Sequence, residues 1–561
     1  MFWLLCSLDS QARPPAQAAI ASAHPLANAA GRSALEAGGN AFDAAVAVSA
    51  ALAVVEPYSS GLGGGGFFLL RKNGQGSDDP ASYHFIDARE RAPLQASPDL
   101  YRREGKVQPA LSLDGALAAA IPGLPAALVH LAERHGRLPL RRSLAPAIEL
   151  AHQGFAVDRV YRQRATFRLA ALRDDPQSAQ LFLVQNQVPD EGHVLRQPDL
   201  AATLQRLAEQ GSAGFYGGET ARRLVKGVQA AGGIWSLDDL AAYRVVERAP
   251  LRFTLQAGRE LISAPPPSAG GVAIAQSLAM LQQLPWRQAE PLQRSHYVVE
   301  TLRRAYRDRA RLGDPDFVDN PLDALLGHDY LKALAGSIDP ARASTSAELP
   351  QPWHEDDHTT HFALIDADGN AVAATLSINL PFGAAFTAPG TGVLLNDEMD
   401  DFAADLSGAN AYGLAGSARN AIAAGKRPLS SMSPTFIESQ DEFAAFGTPG
   451  GSRIPSMVLL SILQYLDDQP IERWVAAPRY HHQFLPDLIE YEPGAFDAEQ
   501  AKSLQVRGHH LKALDRSYGN QQVLLWDKRS AQVQGASDPR GVGQALLLPP
   551  RPVEGIKKPV E

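Results

Sequence analysis

Cysteine is almost missing from this chain of 561 residues: Cys6 stands alone, which excludes an internal disulfide, a CxxC redox pair and a cysteine-built zinc cluster. Stability must come from packing. A basic excess is missing too, the formal net charge being −9, so no general attraction to phosphate backbones follows and no nucleic-acid partner is expected. Long apolar runs are scarce. Residues 41–57 contain Asp43 and are mostly alanine and valine, too short and weak to cross a bilayer, so no membrane span is expected. They read as a buried helix capped by Asn40, with Asp43 near its positive end and Pro57 as its stop. The opening MFWLLC is apolar but shorter than a signal-peptide core and has no basic flank. It is read as the stump of an export signal, with residues 1–17 set apart as an N-terminal segment.

What is present is core material. Hydrophobic residues make up 45% and charged ones 20%, the profile of a globular protein with a large interior. The arginines at 303, 304, 307, 309 and 311 fall in an amphipathic pattern running from Ser295 as N-cap to Gly313 as stop, and are read as a solvated helix face. Residues 18–339 carry alanine–leucine helical periodicity broken by glycine and proline. Residues 344–357, STSAELPQPWHEDD, have no period and read as an exposed linker. The grammar then changes. Residues 361–379 show two β-rich runs around Asp368-Gly369-Asn370, a hairpin signal, and residues 443–452 and 521–538 are strand-like as well.

Three letter patterns suggest chemistry they do not support. Gly61, Gly63 and Gly66 in GLGGGG spell a dinucleotide fingerprint, but a helix precedes them and a strand follows, the reverse of the order that brings a pyrophosphate to a helix N-terminus. A tight glycine turn is expected. His354, Glu355 and His358 spell HExxH, yet Pro352 and the acids Asp356 and Asp357 deny them the helix a zinc protease needs, so no metal is assigned. His481-His482 and His509-His510 lack a spaced third ligand and are read as packing or surface residues.

Thr359 is different, because it opens a strand directly after a cuttable linker. Breaking the His358–Thr359 bond would give Thr359 a free amine with a pKa near roughly 7.7 to 8, close enough to neutral to serve as base for its own hydroxyl. One residue would then supply nucleophile and base.

From residue 18 to 543 an ordered set of motifs resembles the γ-glutamyltransferases: the block at 21–70, DARERAP (87–93), PPPSAGG, GDPDF (313–317), DHTTHF, NDEMDDF (396–402), RPLSSMSPT (427–435), GTPGGSR (447–453) and GASDPRG (535–541). The resemblance implies an α+β fold, the four-layer αββα sandwich of the N-terminal nucleophile hydrolases. It implies a precursor cut between His358 and Thr359 into a large piece, 18–358 after the N-terminal segment, and a small catalytic piece, 359–561, which stay together as one body. Thr359 would be the nucleophile, with Ser377 standing where the family usually has a second threonine. The backbone N–H groups of Gly450 and Gly451 would form the oxyanion hole. Arg89, Ser430 and Ser431 would clamp the substrate carboxylate, and Asn379, Glu398 and Asp401 would hold its ammonium, opposite charges kept apart in one pocket. Residues 402–417, with Tyr412, resemble a lid, and Ala269 replaces a serine frequent in the family.

The implied reaction takes a γ-glutamyl group from glutathione or a similar amide through a Thr359 ester to water or an amine, with no cofactor. A periplasmic or secreted location is implied by family habit. The rival readings are a cephalosporin (glutaryl) acylase of the same fold, an HExxH metalloprotease and a non-catalytic binding protein.

Overall fold

The computed structural model describes residues 12–74, 80–346, 359–405, 408–414 and 416–550. The N-terminal MFWLLC, the HEDDH letters and His358 lie outside them. The strands of its two large sheets, in chain order, are β1 (Ala19–Ser22), β2 (Gly65–Lys72), β3 (Ser82–Ala88), β4 (Val246–Arg248), β5 (Leu251–Thr254) and β6 (Glu260–Ser263). After the linker come β7 (Thr360–Ile365), β8 (Ala371–Ser377), β9 (Thr435–Glu438), β10 (Glu442–Gly447), β11 (Gln522–Asp527), β12 (Val533–Ser537) and β13 (Gln544–Leu547). One sheet has the order β13-β1-β7-β8-β2-β3-β4, the other β12-β11-β10-β9-β6-β5. The predicted hairpin is β7–β8, antiparallel with Thr360 opposite Leu376.

Period-two alternation assigns the layers. Phe68, Leu70, Phe362 and Leu364 belong to the core shared with the helices α1 (Pro25–Glu36), α2 (Ala41–Val55) and α3 (Leu124–Arg134). Phe67, Leu69, Ala363 and Ile365 point the other way, into a core with Phe436 and Ala444 of the second sheet. That core continues to α4 (Gly270–Gln282) and α6 (Ile454–Leu466), which cover the second sheet's outer face, completing four layers; α5 (Pro291–Asp308) packs against α4. Both faces of both sheets are therefore apolar, and β7 and β8 are buried along their whole length.

Helix α2 matches its reading. All of its side chains are buried, Asn40 Oδ1 accepts from the N–H of Phe42 (2.9 Å) and Asp43 (3.1 Å), and the Asp43 carboxylate closes the capping box on Asn40 N–H at 2.9 Å. The GLGGGG run is the expected turn, leading into β2. A Cβ on Gly63 would sit 2.0 Å from the Leu394 carbonyl oxygen, and one on Gly64 2.2 Å from that of Ser377, so these positions exist to let backbones meet.

The arginine-rich helix departs from its reading. It begins at Pro291, with Glu290 as cap; Ser295 is inside it, its hydroxyl donating to the Pro291 carbonyl. A proline at the first helical position starts a helix without losing a needed donor, and that signal outranks the serine. Arg307 and Arg311 are solvated, but Arg303 and Arg304 are buried. Both pair with Glu300, at 3.1 and 2.7 Å, and they also reach Ser346, Ser337 and Ser344. Burial alone would raise Glu300, but Arg303, Ser344 and Arg304 hold it down at about 2. Two cations thus anchor the chain as it enters the linker.

Candidate active site

Thr359 is the first described residue after the linker and enters β7 with only 5% of its surface exposed. Its Oγ1 lies 3.3 Å from Ser377 Oγ at the end of β8, and Ser377 Oγ also accepts from the Asn379 N–H at 2.9 Å. The β7–β8 pairing brings these two hydroxyls together: Thr360 opposes Leu376, so residues 359 and 377 are the next pair in register.

Around them the fold collects residues separated by hundreds of positions. Arg89, Thr359, Ser377, Asn379, Glu398, Asp401, Tyr412, Ser430, Ser431 and Gly451 line one cleft, with Leu414, Met432, Ser452 and Ile454. Every residue singled out from sequence for substrate binding stands on its wall. Gly450 does not line it but precedes Gly451, which opens the short 3-10 turn (Gly451–Arg453) that leads into α6. Gly450 has φ +147° and Gly451 φ +51°, conformations that favour glycine. Cleft volume is about 20 Å³, room for a single water, with Tyr412 and Leu414 closing it. Asp401 and Leu414 also border a neighbouring cavity of about 640 Å³.

Arg89 follows β3 and is 1% exposed. The expectation of separated charges is corrected here: its guanidinium contacts Glu398 and Asp401 directly, and Glu90 Oε2 lies 3.7 Å away. Apposition is what electrostatics requires of a buried cation with acids within reach. Burial works against the charged guanidinium, but Glu398, Asp401 and Glu90 outweigh it and hold its pKa above the usual arginine value. Three carboxylates around one cation cannot all stay ionised. Burial pushes Glu398 up to about 7 against the pull of Arg89, and burial with the Glu398 charge raises Glu90 far above the carboxylate range. Glu398 Oε2 is buried with no hydrogen-bond partner, an unused acceptor on a residue of the cleft wall.

The remaining walls are pinned by backbone contacts. Ser430 N–H donates to the Pro267 carbonyl at 2.7 Å and Ala269 N–H to the Ser430 carbonyl at 2.9 Å, so PPPSAGG and RPLSSMSPT brace each other. Tyr412 OH donates to the Asn379 carbonyl at 3.1 Å, tying residue 412 to the chain just past the end of β8.

Several participants were not legible in the sequence. Asp397 accepts from Asn379 Nδ2 at 3.0 Å and from Leu380 N–H at 2.9 Å, fixing the Asn379 amide. Gln483 Nε2 donates to the Tyr412 carbonyl at 3.0 Å. Glu56, capping α2, accepts from Thr360 Oγ1 at 2.7 Å and from Tyr58 OH at 3.2 Å; burial first, opposed by the Thr360 bond, pushes it up to about 7. The position of Glu56, between a helix end and a glycine turn, was the only available signal. The histidine pairs are packing and surface residues, as read: His481, His482 and His509 are buried and His510 is exposed; His481 Nδ1 meets Ser456 Oγ at 2.6 Å, and burial drives its pKa down to about 3.

The arrangement can do acyl transfer: a buried hydroxyl at a strand start, a second hydroxyl on it, glycine N–H groups at a helix start and a cation–carboxylate cluster a side chain away. Comparison with known proteins agrees. The gamma-glutamyltranspeptidase family profile matches residues 27–548. The glutathione hydrolase proenzyme of Pseudomonas sp. strain A14 is 40% identical over 502 residues, covering 87% of this chain and 85% of that protein. The crystal structure of a cephalosporin acylase from Bacillus halodurans superposes with TM-score 0.83 at 26% identity, over 97% of this chain and 98% of that one. That of the Helicobacter pylori gamma-glutamyltranspeptidase gives 0.54 at 34% identity, over 58% of this chain and 92% of that one.

Proposed function

The chain belongs to the gamma-glutamyltranspeptidase family, and from that premise we propose a self-maturing γ-glutamyltransferase and glutathione hydrolase that works through Thr359. In maturation the Thr359 hydroxyl attacks the carbonyl carbon of His358, the peptide C–N bond breaks as the chain shifts onto oxygen, and water hydrolyses the ester. This leaves pieces of 358 and 203 residues (561 minus 358), the second with Thr359 as its amino terminus.

In turnover the freed amine accepts the Thr359 hydroxyl proton while Oγ1 attacks the γ-amide carbonyl of the donor. Backbone N–H groups of Gly450 and Gly451 take the developing oxyanion, a contribution worth on the order of 3 kcal/mol per donor. The proton passes to the leaving amine, and water or an acceptor amine then attacks the γ-glutamyl ester by the same route. Ser377 holds the nucleophile's hydroxyl in line. Arg89 with Ser430 and Ser431 binds the α-carboxylate, and Glu398, Asp401 and Asn379 bind the α-ammonium. A donor carrying both charges can enter the Arg89 cluster without stranding either sign, because its carboxylate replaces the acids on Arg89 while its ammonium takes them over.

The observation that carries this reading is the 3.3 Å contact of Thr359 Oγ1 with Ser377 Oγ inside the cleft that holds Arg89, Glu398 and Asp401. A glutaryl acylase shares the fold but its substrate has no ammonium, and two acids beside Arg89 would repel rather than recognise a glutaryl carboxylate. The resemblance also carries the expectation of a periplasmic or secreted location, which cell fractionation checks. Intact mass and N-terminal sequencing of purified protein are expected to give two pieces, one beginning Thr-Thr-His-Phe, and Thr359→Ala to give one uncut chain with no turnover of γ-glutamyl amides. An uncut wild-type chain that still turns them over overturns the proposal.

A further inference from the structure

On the helical side of the first sheet, away from the catalytic cleft, His130, His135 and Glu247 converge. One ligand-type atom from each lies within 4.8 Å of the other two. His130 Nε2 is 2.7 Å from Glu247 Oε1, and His84 Nδ1 is 3.9 Å from Glu247 Oε2. The rings of His84 and His130 sit 5.6 and 5.9 Å from that of His135. Nothing in the acyl-transfer chemistry uses these residues.

We propose that His130, His135 and Glu247 form a binding site for one divalent transition-metal ion of the zinc class, with His84 steadying the carboxylate from behind. Imidazole and carboxylate are the donors such ions prefer, and three protein ligands leave a fourth position for water. The backbone supplies the placement. His130 lies in the last turns of α3 and His135 is its C-terminal cap, its carbonyl held by Asn40 Nδ2 at 2.7 Å. Glu247 opposes Ile86 across the β3–β4 pair, so it shares a face with His84 two residues along β3. An imidazole nitrogen of His135, Nε2, is buried with no hydrogen-bond partner, an unmet polar atom inside the cluster.

An ordinary ion pair between His130 and Glu247 accounts for those two alone. It does not account for a second and a third histidine, His135 and His84, gathered around the same carboxylate, where each adds a cationic penalty if protonated. At metal–ligand bonds of about 2.1 Å, tetrahedral ligand atoms stand about 3.4 Å apart. His130 and Glu247 must therefore part slightly and the widest pair close by more than an ångström. Glu247 is exposed, and its carboxylate is the group that would make this move. Lys72, the nearby competing cation, is exposed and solvent-screened. The ion would tie α3 to the sheet edge formed by β3, which Arg89 directly follows, and β4.

The test is a calorimetric titration of tag-free, chelator-treated mature protein with zinc chloride, repeated on His135→Ala, His130→Gln and His354→Ala. One equivalent is expected per chain, with a dissociation constant at or below about 10 μM. Thermal unfolding should move up by about 2 °C or more in excess zinc. His135→Ala and His130→Gln should each weaken binding at least about tenfold while keeping two-piece maturation, which reports that they fold; His354→Ala should bind as the parent does. Absence of binding overturns the proposal, as does binding that survives both cluster variants or disappears with His354→Ala.

Discussion

Arg89 bears one positive charge against Glu398, Asp401 and Glu90, and the proton count around it sets a pH dependence that can be worked out in sign. Burial raises Glu398 from its ordinary 4.5 to about 7, so between those values the folded protein holds a proton there that the unfolded chain has lost. The stability owed to this group is thus largest below 4.5 and declines as pH rises through about 7. Its usefulness runs the opposite way, since only the carboxylate attracts an ammonium. The KM for a γ-glutamyl donor is therefore expected to fall as pH is raised through about 7, with kcat moving less over the same interval. Glu398→Gln should raise KM roughly tenfold or more at pH 8, the cost of one hydrogen bond to a charged partner, and flatten its dependence on pH. Steady-state kinetics from pH 5.5 to 8.5 on both proteins checks this, and an unchanged slope in the variant would remove Glu398 from ammonium recognition.

At the scale of an element, the glycine turn after α2 does more than reverse the chain. Gly64 touches the carbonyl of Ser377, the residue whose hydroxyl meets Thr359. A methyl group there has 2.2 Å to that oxygen, far inside contact distance, and the opposing atom is backbone that cannot swing aside. Gly64→Ala is expected to cost about 2 kcal/mol of stability and to slow maturation by about tenfold or more, because the strain falls on the end of β8. Denaturant unfolding and a time course of precursor cleavage measure the two effects; normal maturation in a destabilised variant would show that the strain is absorbed elsewhere. Helix α5 teaches a related point. Its buried Arg303 and Arg304 look solvated in a helical wheel, and only contact with Glu300 and residues 337–346 reveals otherwise.

For the whole molecule the decisive feature is how the two sides of the linker interleave. In the first sheet β13, β7 and β8 come from after residue 358 and β1, β2, β3 and β4 from before it; β1 lies between β13 and β7, and β8 pairs with β2. In the second sheet β6, from before the linker, pairs with β9, from after it. Cutting after residue 358 breaks no ladder among the described residues, yet separating the pieces would open both sheets and expose buried apolar faces. The two pieces are expected to co-elute as one particle of about the 60.0 kDa of the uncut chain and to part only when the fold melts. Size exclusion in rising urea, with fragment analysis of each peak, measures this; separation before loss of circular dichroism would contradict it.

The order of motifs, the buried helix behind Asn40, the hairpin around Gly369 and the threonine that opens a strand at the linker's end were all readable along the chain, because each is written in residues close together. So was the set of cleft residues, through the resemblance their motifs carry. Tertiary structure alone decided that Arg89 rests on Glu398 and Asp401, that Glu56 meets Thr360 and that Gln483 holds the Tyr412 carbonyl. Those contacts join positions up to hundreds of residues apart, and their energies come from burial and local charge, which no stretch of letters contains.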